Sequence, residues 1–359
     1  MANISISLCM IVKNEEDTLA ACLTSVGEVA DEIIIIDTGS TDKTKQIATT
    51  FTDYVYDFEW IDDFAAARNF AFSKATKDYI LWLDADDIVT LENKQKILTL
   101  KKTLPTDVDS VMMSYHLSFD ERGNPSFSSR RNRIVKREKN FRWIGFVHEY
   151  LEVWGNIFQS DIAIVHKKGK IHSDRNLRIY EKALESGQPF SPRDKYYFAN
   201  ECKDHGLHEK AIEWYQKFLD EGKGWSEDNI QACGKMSDCL IQTKEWLPAI
   251  RSCLKSFEYD TPRGENCCRL GSIYLQRHDY ERAAFWYKLA TQVDLPETKS
   301  PFIDRSSYTW LPHLQLCLCY DRLGKRSEAN KHNELAAEFL PNHPAILYNR
   351  KYFEDLEEK

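Results

Sequence analysis

Glu32 to Asp37 reads EIIIID, four isoleucines in a row with no polar position among them. A strand with one wet face alternates apolar and polar residues, so an unbroken β-branched run belongs to a strand covered on both faces. Ile4 to Val12, Tyr79 to Leu83 and Tyr54 to Phe58 extend the same pattern. Stretches of helical spacing lie between them: Thr18 to Val26, Thr41 to Phe51 with Ser40 or Thr41 as N-cap, and Phe64 to Lys74. Strands alternating with helices predict a Rossmann-like α/β domain built on a mainly parallel sheet. Ligands of such sheets lie beyond the carboxyl ends of the strands. Asn14, Asp37 and Asp84 fall at those ends.

Near residue 173 the periodicity changes, strand signals vanish and paired helices take over. Ala211, Ala249, Ala283 and Ala329 each follow, by twelve positions, another small residue: Ala199, Ser237, Gly271 and Cys317. Each of those is preceded by a bulky apolar residue: Phe198, Met236, Leu270 and Leu316. The anchoring alanines are 38, 34 and 46 residues apart, near the roughly 34-residue tetratricopeptide period with insertions. Small residues let the helices of a hairpin approach closely, and the bulky neighbour fills the groove between repeats. Tyr215 and Tyr287 fit the aromatic position of that pattern and Pro341 its proline, while Cys253 and Asn333 depart from it. The expected organisation is an α/β domain over 1–172, a helical linker over 173–192 and an all-α helical-repeat domain over 193–359. Two domains suit a chain of 359 residues, which is long for one core.

A formal net charge of -8 argues against nucleic acid, which needs a basic surface. No run approaches the roughly 18 apolar residues of a membrane span, and no basic-then-apolar leader opens the chain. The ten cysteines form no CxxC pair. Buried reduced thiols and a cytoplasmic protein without a transmembrane segment are therefore expected.

Leu81-Trp82-Leu83-Asp84-Ala85-Asp86-Asp87 sets carboxylates at i and i+2 just past a buried strand. Such a pair can hold a hard divalent cation with one member and a ribose with the other. With Ile11-Val12-Lys13-Asn14-Glu15-Glu16, Ile36 to Thr44 and Ala67-Arg68-Asn69, in that order, this segment resembles the family-two inverting glycosyltransferases of the GT-A fold, over residues 4 to 170. The resemblance implies that Asn14, Glu16, Asp37, Arg68, Asp84, Ala85 and Asp86 form the nucleotide-sugar site. Asp37 would meet the base, Arg68 the nucleotide or its diphosphate, Asp84 the ribose side and Asp86 a Mn²⁺ or Mg²⁺ ion. Arg142 to Glu149 is similar to the V-H-E segment of lipopolysaccharide-core glucosyltransferases, and Ile162 to His166 is a strand ending in a histidine that can complete the metal site in that family. Inverting transfer needs a general base. Glu149 is the expected one, held by His148, with Asp120 and Asp87 as fallback choices. Arg130 to Arg137 reads as a strand with its charges on one face, gripping a diphosphate or acidic acceptor or simply solvated. Lys167 to Lys170, with Arg175 and Asn176, reads either as a solvated segment or as a loop closing over the donor.

A GT-A domain followed by such repeats resembles the sublancin-type peptide S-glycosyltransferases of bacteria. That resemblance implies transfer of a hexose from a UDP-sugar (UDP-glucose or UDP-N-acetylglucosamine by family prevalence) to Cys, Ser or Thr of a peptide or protein. One alternative is transfer to a surface polysaccharide or lipid-linked glycan, which the V-H-E segment favours. Another is a non-catalytic repeat scaffold with an inactive transferase domain, against which Asp84, Asp86, Glu149 and His166 argue. Repeat surfaces also leave room for a homodimer.

Overall fold

The computed structural model describes residues 3–119, 123, 125–167, 174–296 and 303–357. The chain divides into two compact units, Met1–Ile179 and Tyr180–Lys359. In the first, strands β1 (Ile6–Val12), β2 (Glu32–Asp37), β3 (Val55–Asp57) and β4 (Tyr79–Trp82) run parallel, linked by α1 (Leu19–Val26), α2 (Thr44–Thr49) and α3 (Phe64–Lys74). Then follow β5 (Asp87–Ile88), α4 (Leu91–Thr103), β6 (Ser110–Phe119), β7 (Pro125–Lys136), β8 (Arg142–Ile144), β9 (Tyr150–Glu152) and β10 (Ile157–His166). Among the described residues the main sheet has the order β3-β2-β1-β4-β7-β6-β10-β5, and β8 pairs with β9 apart from it. In the main sheet β7 is antiparallel to both its neighbours and β5 is antiparallel to β10, while the other pairings are parallel; β8 and β9 are antiparallel.

The isoleucine run shows why the sheet is covered twice. Ile33 and Ile35 pack with Leu19, Leu23 and Ile97 of α1 and α4. Ile34 and Ile36 pack on the opposite side with Ala71 of α3. The period of two sends alternate isoleucines into two separate cores. Two local expectations need correction. α2 begins at Thr44 with Lys43 at its N-cap and no side-chain cap. The Ser40 hydroxyl instead accepts from the Asn14 N–H, and Asn14 Oδ1 accepts from the Thr41 N–H. With both groups turned toward Asn14, the helix starts a few residues later.

In the second unit α5 (Arg175–Glu185), which the division cuts, leads into four hairpins: α6 (Pro192–Asp204) with α7 (His208–Glu221), α8 (Ser226–Gln242) with α9 (Trp246–Lys255), α10 (Gly264–Gln276) with α11 (Tyr280–Ala290), and α12 (Trp310–Arg322) with α13 (Arg326–Ala337). α14 (Pro344–Glu357) follows. The anchoring alanines are fully buried, as are Phe198, Leu270 and Leu316. A Cβ on Gly271 would lie 2.8 Å from the Tyr287 ring, so only the smallest residue fits where α10 meets α11 there. All ten cysteines are buried and unpaired. Among the described residues no helix is long and apolar enough to cross a membrane.

The hairpins share a feature that spacing alone does not announce. Five residues before each anchoring alanine the backbone is left-handed: Gly206 (φ +73°), Lys244 (+62°), His278 (+59°) and Gly324 (+76°). A non-glycine residue there costs roughly 1–2 kcal/mol. Lys244→Gly removes an exposed side chain from that strain and is expected to stabilise the protein by about 1 kcal/mol. Urea denaturation should show a higher midpoint at unchanged slope. A lower midpoint would mean the lysine side chain outweighs its backbone strain.

Candidate active site

The site is assembled from the ends of four strands of the first unit, β1, β2, β4 and β10. Asp37 closes β2, and its Oδ1 accepts from the Gly39 and Ser40 N–H groups, both at 2.9 Å. Its Oδ2 is buried with no hydrogen-bond partner, a costly state for a carboxylate oxygen. Asn14, at φ +54°, ties the loop after β1 to the loop after β2 through Ser40 (3.0 Å) and Thr41 (2.8 Å). Glu16 reinforces that tie, since its Oε2 accepts from the Lys43 N–H at 3.2 Å and its own N–H donates to Asp42 at 3.2 Å.

The acidic loop follows β4. Ala85 is buried, and the Asp84 and Asp86 side chains are partly open, 34% and 23% exposed. The two-residue strand β5 lies antiparallel on the end of β10 in a register that sets Asp87 opposite His166. The Lys167 N–H then donates to the Asp86 carbonyl at 2.8 Å. That pairing brings His166 to the acidic loop: its Nδ1 is 3.5 Å from Asp86 Oδ1 and 3.8 Å from Asp87 Oδ1. Asp86, Asp87 and His166 offer donor atoms within 4.8 Å of one another. Hydrogen bonds to Asp86 and then Asp87 raise the imidazole to about 10, against the opposing effect of burial.

Asp87 is set apart by complete burial. Its Oδ2 accepts from the Asp84 N–H at 3.0 Å and lies 3.1 Å from Arg133 Nη1, and its Oδ1 accepts from the Tyr115 hydroxyl at 2.8 Å. The Tyr115 oxygen is also 3.0 Å from His166 Nδ1. Having given its proton to Asp87, it can only accept, so His166 carries hydrogen on Nδ1. Sealed and fully engaged, Asp87 orients His166 through Tyr115 and is closed to an acceptor substrate. Arg133, expected on the charged face of a basic strand, is instead wholly buried between the rings of Trp82 (3.9 Å) and Tyr115 (4.4 Å). Neither Arg133 nor Tyr115 carries a local signal of this role, because their partner Asp87 is distant in sequence.

Arg68 links the acidic loop to the V-H-E segment. Its Nη2 donates to Asp84 Oδ1 and its Nε to Glu149 Oε1, both at 2.7 Å. The guanidinium stacks against Trp82 (5.1 Å) and Trp143 (4.8 Å). Burial alone would make it less basic, but Asp84 and Glu149 outweigh burial and keep it firmly protonated. Burial would likewise raise Asp84, yet Arg68 and Arg133 hold it below the usual carboxylate range. The neighbouring Asn69 exchanges two hydrogen bonds with the Trp143 backbone, at 2.9 and 3.0 Å. The Phe64 N–H donates to the Phe146 carbonyl at 2.9 Å, and Gly145 and His148 take positive φ to make the turn. α3 thus seats the segment that carries Glu149. Arg68, Trp82, Asp84, Tyr115, Trp143 and Glu149 line a cleft of about 280 Å³. Asp120 and residues 168–170 lie outside the described residues.

Residues 7–159 match the model of glycosyl transferase family 2. The SPbeta prophage-derived glycosyltransferase SunS of Bacillus subtilis is 27% identical over 259 residues, 68% of this chain and 60% of that protein. A TPR repeat-containing protein of Synechococcus elongatus is 51% identical over 87 residues, 24% of this chain and 22% of its own length. The chain thus spans less than two thirds of either relative. Among solved structures, the crystal structure of MamA is similar at a TM-score of 0.38 and 21% identity, covering 46% of this chain and 86% of that one.

Proposed function

We propose that this chain, whose residues 7–159 match the model of glycosyl transferase family 2, is a metal-dependent, inverting glycosyltransferase that moves a hexose from a UDP-sugar to a Cys, Ser or Thr side chain of a peptide or protein. The meeting of Asp86 with His166 beside Asp84, at the open end of β4, carries this reading. Carboxylate oxygen with one imidazole nitrogen suits Mn²⁺, and Mg²⁺ less well. Bound there, the ion would neutralise charge on the departing diphosphate. Asp87, with both oxygens engaged, supports the ligands without being one.

The protein's own groups divide the remaining work. The unpartnered Oδ2 of Asp37 supports a contact with a base N–H. Asp84 gives one oxygen to Arg68 and has the other for a ribose hydroxyl. Glu149, seated by Arg68 on the cleft wall, takes the proton of the attacking acceptor. In this arrangement Arg68 acts on the donor through Asp84 and Glu149, since two of its nitrogens are already committed.

Thermal shift with a panel of nucleotides and nucleotide sugars, with and without Mn²⁺, tests the reading. A ligand at a hundredfold excess over its dissociation constant adds about 2.7 kcal/mol of stability. A shift with UDP compounds that requires the metal is expected; no shift with any of them would sink the proposal. Asp37→Asn adds a residue-level check. It keeps Oδ1 for the turn but replaces the unpaired acceptor with a donor. Nucleotide affinity should fall about tenfold to a hundredfold, the equivalent of 1–3 kcal/mol, with no loss of stability in the free protein. Unchanged UDP affinity would remove Asp37 from the base site.

A further inference from the structure

β7 leaves part of one edge open beside the cleft. β6 pairs with it from Pro125 to Val135, whereas β4 covers the other edge only at Ile134, Val135 and Lys136. β4 ends at Trp82, so β7 runs on past its carboxyl end. Among the described residues no strand lies on that side of residues 128–132. Asn132 sets the direction of the backbone groups there, since its carbonyl accepts from the Trp82 indole N–H at 2.6 Å. The N–H and C=O of one strand residue point to the same side, and alternate residues share a side. No register shift falls between Asn132 and Ser128. Arg130 and Ser128 therefore face the gap with Asn132, while Arg131 and Ser129 turn to β6.

The side chains of this row are anchored elsewhere. The Arg130 guanidinium reaches across β6 to Ser114 Oγ, the Met112 carbonyl and Gln159 Oε1, at 3.3, 3.4 and 2.9 Å. The Asn132 side-chain oxygen accepts from the Ser110 hydroxyl at 3.0 Å. What is left for a ligand is main chain: the N–H of Asn132 and the N–H and C=O of Arg130, in a cleft whose other walls carry Asp84 and Glu149. An open strand edge is a template for a further extended chain. A glycan acceptor has no donor–acceptor alternation at the spacing of a strand, and a peptide backbone has it. We infer that the acceptor peptide binds as an added strand on β7 at residues 128–132, exchanging backbone hydrogen bonds with Arg130 and holding its acceptor side chain in the cleft of Glu149. The inference rests on the peptide-acceptor reading above, and it makes extended backbone, rather than a fixed sequence, the feature recognised.

The test is hexose transfer by the full chain, with Mn²⁺ and a mixture of UDP-glucose and UDP-N-acetylglucosamine, to short randomised peptides that each carry one central Cys, Ser or Thr. Three versions of the peptides are compared: unmodified, backbone N-methylated at odd distances from the centre, and N-methylated at even distances. Only alternate residues of an added strand turn their N–H to β7, and the single acceptor residue forbids a slip in register. One methylated version should therefore lose transfer by about tenfold or more while the other keeps it. A variant pair checks the protein's side. Arg130→Pro removes an N–H that faces away from β6, a place where strands tolerate proline. Its transfer should fall about tenfold below that of Arg130→Ala, which loses the same side chain and keeps the N–H. If the proline variant does not fold, the methylation pattern decides alone. Transfer that ignores methylation, or falls equally in both versions, would overturn the added strand and leave the peptide-acceptor reading standing. No transfer to any peptide would remove that reading, and the added strand with it.

Discussion

Asp86→Ala is expected to abolish the metal-dependent stabilisation by UDP compounds and to lower transfer by on the order of 10³-fold or more, the scale of losing electrostatic stabilisation of a leaving diphosphate. Among the described residues the substitution removes the one partly open carboxylate within 4 Å of His166, because Asp87 is fully buried and shared between Arg133, Tyr115 and the Asp84 N–H. Calorimetry offers a second readout. His166, raised to about 10 by Asp86 and Asp87, is protonated at neutral pH, and metal must displace that proton. Mn²⁺ binding to the parent protein should release close to one proton, and its affinity should climb by up to about tenfold per pH unit below the imidazole's value. In Asp86→Ala the largest contribution to that raised value is gone, so proton release should shrink with the affinity. A variant that keeps a metal-dependent UDP shift would place the cation elsewhere.

Much of this arrangement was legible in the residues because the relevant signals are local. An isoleucine run specifies a doubly covered strand wherever it lies, and small residues at a fixed offset specify a helix contact. The alternating order of an α/β unit followed by helical repeats follows from those two signals, and the structure has that order. The acidic loop and the strand-end histidine were each visible, but their meeting was not. It depends on the antiparallel register of β5 on β10, and a two-residue strand has no periodicity to read. Arg133 was illegible for a related reason. Among Arg130, Arg131 and Arg137 it is one more basic residue, and its burial is set by Asp87, Trp82 and Tyr115, which reach it through the fold. The left-handed turns fall between these cases. Gly206 and Gly324 mark the position, while Lys244 and His278 conceal it.

Arg68→Met is expected to lower the stability of the first unit by about 3 kcal/mol, since it leaves two carboxylates together without the cation that compensates them. For a unit of this size that is a drop of about 10 °C in the melting temperature. The partial exposure of the Asp84 side chain, 34%, keeps the expectation at the low end of the range for buried pairs. The rescue pattern then separates two roles for the arginine. If Arg68 organises the site, Glu149→Gln in the Arg68→Met background should restore part of the stability, and a double-mutant cycle should show coupling on the order of 1–2 kcal/mol. If it grips the diphosphate directly, Arg68→Met should weaken UDP binding with little change in the free protein, and Glu149→Gln should rescue nothing. The geometry favours the first outcome. Arg68 is packed against two indole rings, with both hydrogen-bonded carboxylates at 2.7 Å, an arrangement that spends its charge inside the protein. Under the proposed function, what reaches the substrate is the consequence of that charge: Asp84 would serve the ribose and Glu149 the acceptor from the walls of one cleft.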